Sequence, residues 1–230
     1  MKYFIARLAE KSWRKPLATN RFQKQTEGEF LIMPANPPAD FNDIEENNYI
    51  GFPSVFPMLF TNQECSKIID LSKNLETHQA PVGPSGTKNI DLSTRNSNIK
   101  WLGLASDTQW IYQRIQGAYT QANINYKFDL LGCSFFQVTE YPVGGKYDWH
   151  EDVGDKLISK RKLSLSVQLS DPNDYDGGDL EFLNPLPYKS DFRQQGSVII
   201  FPSFLAHRVT AVTRGARWSL IAWVFGPPFR

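Results

Sequence analysis

From Tyr126 onward the chain breaks into short apolar runs, "LLGCSFFQVTEY", "KLSLSVQLS", "DLEFL", "SVIIFPS", "HRVTAV" and "WSLIAWVF". Between them stand turn-forming stretches, "PVGG", "DPNDYDGG", "NPLPYKSD", "QQG" and "TRG", and this rhythm predicts a succession of strands. In "KLSLSVQLS", Leu163, Leu165, Val167 and Leu169 alternate with Ser164, Ser166, Gln168 and Ser170. One face of that strand is therefore apolar and the other lines something polar. Many short strands at this spacing suggest a β-sandwich or jelly roll.

Upstream the period changes. "TNQECSKIIDLSKNL" places Thr61 and Glu64 in capping-box spacing, followed by Cys65, Ile68, Ile69 and Leu75 on a helical stripe, which predicts a helix over about 62–75. "LSTRNSNIKWLG" has the composition of a strand or extended edge. A second helix is expected to begin with Ser106 and Gln109 in the same capping spacing, and it carries Ile111, Ile115, Ala118, Tyr119 and Ala122 on one face. Residues 1–50 are mixed and rich in Pro and Asn, and read as an N-terminal arm or extension to a domain over 51–230.

With 230 residues, 41% hydrophobic and 13% aromatic, the chain can bury one substantial core. The formal net charge of +1 provides no global field to attract nucleic acid or an anionic membrane. Cys65 and Cys133 lack metal-ligand spacing and fit a reducing, cytoplasmic location, with a single bridge between them left open. The N-terminal segment interrupts its apolar residues with charges, unlike a signal peptide, and no run is long enough to span a bilayer.

The chemistry concentrates in "KYDWHEDVG", which holds one of only three histidines. His150 and Asp152 are two apart, so on an extended strand they share a face and can grip one ion. Alone, His-x-Asp is weak evidence and more often describes a surface turn. His207, at the end of "GSVIIFPSFLAH", completes two imidazoles and one carboxylate, the facial set favoured by non-haem Fe(II), with positions left open. Zinc would also suit these ligands. Arg217 opens the apolar run "RWSLIAWVF" and needs a partner there. A ligand carboxylate would supply a bidentate pair, and an internal salt bridge with an acid such as Asp179 is the alternative.

The stretch from about Tyr126 to Phe225 resembles the Fe(II)- and 2-oxoglutarate-dependent oxygenases, in the prolyl 4-hydroxylase-like (PKHD-type) branch. "YPVGGKYDWHED", "LSLSVQLSDPNDYDGGDLEFL", "QGSVIIFPSFLAHRVTAVTRGAR" and "WSLIAWVFG" occur in that family's order. The resemblance implies a mainly β fold, a double-stranded β-helix or jelly roll with supporting helices. It implies His150, Asp152 and His207 as iron ligands and Arg217 as the partner of the distal carboxylate of 2-oxoglutarate. Tyr141 matches a tyrosine that reaches toward co-substrate or substrate. Gln168 stands where some prolyl hydroxylases have a tyrosine, and its amide is expected to donate to the co-substrate carboxylate instead.

The activity so implied is hydroxylation of a peptide or protein side chain, proline foremost. Molecular oxygen and 2-oxoglutarate would be consumed, with ascorbate as a reductant. Tyr147, Trp149 and Trp223 are the expected substrate-lining aromatics, and residues 171–178 and 82–98 the expected roof. A hydroxylase of a free small molecule is the alternative within the enzymes, and a non-catalytic jelly-roll metal-binding module the alternative outside them. A nucleic-acid demethylase of this superfamily would carry a second arginine where Trp223 stands.

Overall fold

The computed structural model describes residues 47–82, 89–184 and 192–229. The expected arm over 1–50 falls almost entirely outside these. A short strand, β1 (Ser54–Phe56), leads to α1 (Asn62–Lys73), whose predicted capping box is formed. The Glu64 N–H donates to Thr61 Oγ1 at 3.2 Å and the Thr61 N–H donates to the Glu64 carboxylate at 2.8 Å. Two helix-end donors are thereby satisfied at once. The helix ends at Lys73, slightly short of its predicted end.

Next come β2 (His78–Gln79), β3 (Arg95–Asn96), β4 (Asn98–Leu102) and α2 (Gln109–Tyr126). Every position of the predicted stripe of α2 is buried. The expected cap at Ser106 does not form, because Thr108 is the N-cap residue and Gln109 is already helical. The Thr108 hydroxyl is engaged in the preceding turn, accepting from the Ala105 N–H at 2.8 Å and donating to the Gly103 carbonyl at 2.7 Å. A side chain that stitches its own turn holds residues 103–108 out of the helix.

The remaining strands are β5 (Gly132–Cys133), β6 (Phe136–Tyr141), β7 (Lys146–His150), β8 (Arg161–Gln168), β9 (Asp176–Gly177) and β10 (Leu180–Phe182). They are followed by β11 (Val198–Pro202), β12 (His207–Val209), β13 (Val212–Arg214) and β14 (Arg217–Phe225). The major sheet has the order β1-β11-β8-β14-β6-β4-β2, with β5 also on β14, and the minor sheet the order β10-β12-β7-β3. All of these pairings are antiparallel, as in a jelly roll.

Alternation gives the major sheet two unlike faces. Leu163, Leu165 and Val167 of β8 and Leu220, Ala222 and Val224 of β14 form one core with Ile68 of α1 and Ile111 and Ile115 of α2. Each such Leu, Ile or Val side chain contributes about 1.5–3 kcal/mol when fully buried. The opposite positions, Ser164, Ser166, Gln168, Arg217, Ser219, Gln137 and Thr139, are buried as well but polar. This is the polar face that the alternation in β8 foretold. A second apolar cluster, with Ile199 and Phe201 of β11 and Leu180 and Val209 of the minor sheet, packs the two sheets together.

One glycine is required by a close approach. Gly196 has φ +80, and a Cβ there would fall 1.8 Å from the Phe60 carbonyl oxygen. Its backbone ties the start of α1 to the site region, since the Phe60 N–H donates to the Gly196 carbonyl at 3.0 Å and the Gly196 N–H to the Gln168 carbonyl at 2.8 Å. Cys65 and Cys133 are free thiols, so the bridge left open by the sequence is not formed. No described helix is long and apolar enough to cross a membrane.

Candidate metal centre

β7 ends on His150, β12 begins on His207, and the two are direct register partners. Antiparallel partners project to the same face, so strand pairing alone brings the imidazoles together, with ring centroids 4.2 Å apart. Beyond β7 the Asp152 N–H donates to the Ser203 carbonyl at 2.9 Å, which pins the third group. His150 Nε2 lies 3.8 Å from Asp152 Oδ1, and His207 Nε2 lies 3.7 Å from Asp152 Oδ2. One donor atom from each residue falls within 4.8 Å of the others.

The tautomers follow from the backbone. His150 Nδ1 is 2.8 Å from the Asp148 carbonyl and His207 Nδ1 is 2.8 Å from the Leu205 carbonyl. A ring nitrogen facing a carbonyl oxygen must carry the proton, so Nε2 is left bare on the side of the shared centre. Burial, then the neighbouring His207, holds His150 down to about 4. Burial works against ionisation of Asp152, but His207, His150, Arg161 and the Ser164 hydroxyl outweigh it and carry the carboxyl down to about 2. At neutral pH His150 is uncharged and Asp152 ionised, the forms that bind metal. Two imidazoles and a carboxylate converging in this way fit Fe(II) with positions left open.

Aromatic contacts hold the ligands from behind. Tyr147 stacks on His150 at 3.4 Å between centroids, and the Arg95 guanidinium lies 4.4 Å from the Tyr147 ring. Phe201 meets His207 edge-on at 4.7 Å.

Arg217, at the head of β14, is 1% exposed. Its Nη2 donates to Gln168 Oε1 at 2.9 Å, its Nη1 reaches Ser219 Oγ at 3.5 Å, and its Nε has no partner. The alternative salt bridge to Asp179 is not made, because Arg193 holds that carboxylate at 2.6 Å. Gln168 is oriented by its neighbours on the sheet. A guanidinium only donates, so the amide oxygen faces Arg217, while Nε2 donates to Ser166 Oγ at 3.1 Å. Gln168 does not line the cavity in front of the triad.

That cavity, about 590 Å³, is lined by the triad together with Arg217, Tyr141, Tyr147 and Trp223. Tyr141 is buried, with its ring 5.3 Å from the Arg217 guanidinium. Trp149 is not part of the lining: it is 40% exposed and carries the Arg208 guanidinium 4.7 Å from its ring. Nor does the segment 171–178 line it; Arg193 clamps that loop through the Tyr175 and Gly177 carbonyls at 2.9 and 2.7 Å. Of the other expected roof, Ile90 and Arg95 line the cavity, and residues 83–88 lie outside the described residues.

Arg161 lines the cavity without having been named from the sequence, and Arg95 was included only as part of the expected roof. Arg161 heads the apolar alternation of β8 just as Arg217 heads β14. The signal that singled out Arg217 was present there too.

Residues 136–225, the stretch that carries the His-x-Asp…His triad and the buried Arg217, match the signature of the 2OG-Fe(II) oxygenase superfamily. The curated relatives it resembles are PKHD-type hydroxylases. It is 30% identical over 136 residues to a PKHD-type hydroxylase of Colwellia psychrerythraea, covering 56% of this chain and 59% of that one. It is 36% identical over 90 residues to one of Acidovorax ebreus, covering 36% and 40%. The chain thus spans roughly half the length of these curated relatives. Among solved structures, a prolyl-4-hydroxylase of Pseudomonas putida shares the fold with a TM-score of 0.58 at 19% identity, over 78% of this chain and 94% of that one. A Trichoplax adhaerens prolyl hydroxylase, solved with a hypoxia inducible factor peptide fragment, superposes with a TM-score of 0.62 at 15% identity, over 77% and 84%.

Proposed function

We propose that this chain is an Fe(II)- and 2-oxoglutarate-dependent dioxygenase that hydroxylates a peptide or protein side chain, with proline the foremost candidate. The observation that carries the reading is the sharing of one cavity by a preset His150–Asp152–His207 triad and a buried arginine with no carboxylate partner among the described residues. The prolyl substrate rests on the relatives alone, one of which was solved with a peptide.

In this reading His150, Asp152 and His207 hold Fe(II), which with 2-oxoglutarate and oxygen supplies the oxidising chemistry for a C–H bond. Arg217 takes the distal carboxylate of 2-oxoglutarate in a charge-assisted pair. Gln168 and Ser219 fix the guanidinium in advance, so that little side-chain entropy is lost on binding. Tyr141 backs that guanidinium, and Tyr147 and Trp223 form the aromatic walls against which a substrate side chain is placed. Apolar lining from Leu180, Phe201 and Ile221 excludes water and strengthens each polar contact. Ascorbate belongs in the assay as a reductant.

The test is an anaerobic titration of the apoprotein with Fe(II) and 2-oxoglutarate, read by the visible charge-transfer band of a chelated keto acid. A band is expected in the unaltered protein. Its absence with iron demonstrably bound would overturn the 2-oxoglutarate assignment and favour the metal-binding module.

A further inference from the structure

Besides Arg217, two more guanidiniums line the same cavity, Arg95 and Arg161. Among the described residues neither makes a salt bridge with a carboxylate. Arg95 is 9% exposed, and among the described residues its side chain donates one hydrogen bond, from Nε to Ser97 Oγ at 3.1 Å. Arg161 gives one Nη1 bond to the Asp152 carbonyl at 3.1 Å, and its buried Nε has no partner. Each is held by an aromatic face instead, Arg95 at 4.4 Å from the Tyr147 ring and Arg161 at 3.8 Å from that of Trp223. The acids in the lining do not balance this charge. Asp152 attracts Arg161 but belongs to the metal triad, and Glu151 is exposed.

Cation–π contact offsets only part of the cost of desolvating a guanidinium. It also fixes the orientation of the planar fork and leaves N–H donors free, the state in which arginine best recognises a carboxylate. One arginine is accounted for by the distal carboxylate of 2-oxoglutarate, and two remain.

We propose that the substrate carries a carboxylate, which Arg95 and Arg161 receive between the Tyr147 and Trp223 rings. This rests on reading the cavity as the oxygenase site of the preceding section. The carboxylate comes either from a free acid or from an Asp or Glu side chain of an acidic peptide. A neutral substrate could offer these forks only carbonyl acceptors, a weaker match than a carboxylate.

The experiment uses the full chain loaded with Fe(II) and 2-oxoglutarate under nitrogen, so that Arg217 is already occupied and no turnover occurs. Binding is measured by calorimetry for a panel of acids against their amides: benzoate and benzamide, N-acetyl-L-proline and its amide, and Ac-Asp-Pro-Gly-NH2 and Ac-Asn-Pro-Gly-NH2. The expected result is a preference of about tenfold or more for the acid, as one charge-assisted bond supplies. Preference in the first two pairs points to a free acid, and in the third alone to an acidic peptide. Arg95→Gln is expected to erase the preference while the charge-transfer band persists. Equal binding of acid and amide across the panel, or binding of neither, overturns the proposal. Loss of the band in the unaltered protein instead overturns the oxygenase reading beneath it.

Discussion

Arg217 Nη2 donates to Gln168 Oε1 at 2.9 Å across the β8–β14 pair, where Gln168 is the register partner of Ser219. The guanidinium that lines the cavity is therefore positioned by a neutral amide, and no carboxylate among the described residues pairs with it. Replacing Gln168 by Leu strands one buried N–H, a loss of about 1–3 kcal/mol. The expected outcome is a rise of roughly tenfold in the 2-oxoglutarate dissociation constant with Fe(II) affinity unchanged. Anaerobic titration of the charge-transfer band measures both.

Arg217→Ala removes the proposed partner itself. Breaking a buried charge pair costs about 3 kcal/mol or more, so 2-oxoglutarate affinity should fall by roughly a hundredfold. High 2-oxoglutarate concentrations should restore the band.

Asp152→Ala leaves two imidazoles that still hydrogen-bond the Asp148 and Leu205 carbonyls. The fold should survive, with circular dichroism unchanged, and metal-dependent thermal stabilisation should disappear. Retention of that stabilisation would show that the metal sits elsewhere.

Gly196→Ala places a Cβ against the Phe60 carbonyl at a φ that alanine avoids. A destabilisation above about 2 kcal/mol is expected by denaturant titration. Thr61→Ala, which removes only the α1 cap, should cost about 1 kcal/mol.

Burial pushes Cys65 up to about 11 and Cys133 up to about 12. At pH 8 about a thousandth or less of either is thiolate. Ellman's reagent should react slowly with native protein and rapidly with both thiols once the chain is unfolded.

Much of this site is legible in the sequence because its signals are short and periodic. The β8 alternation separates a core face from a polar one within nine letters of "KLSLSVQLS", and His150 and Asp152 fall on one strand repeat. Pairings between distant positions are not legible. That Gln168 faces Arg217, 49 residues away, depends on which strands become neighbours. Arg161 heads the β8 alternation and Arg95 lies in a short edge strand, and only the pairing of distant strands brings both to one cavity. The start of α2 was misplaced because a threonine hydroxyl can serve a turn as readily as a helix end.

The three proposed metal ligands belong to the minor sheet and the turn that follows it, whereas Arg217 belongs to the major sheet. A five-carbon diacid gripped at one end by metal and at the other by Arg217 would rivet the two layers. Its affinity then gauges the gap between them, and a substitution far from both ends that shifts one layer would register first as a weaker hold on the diacid.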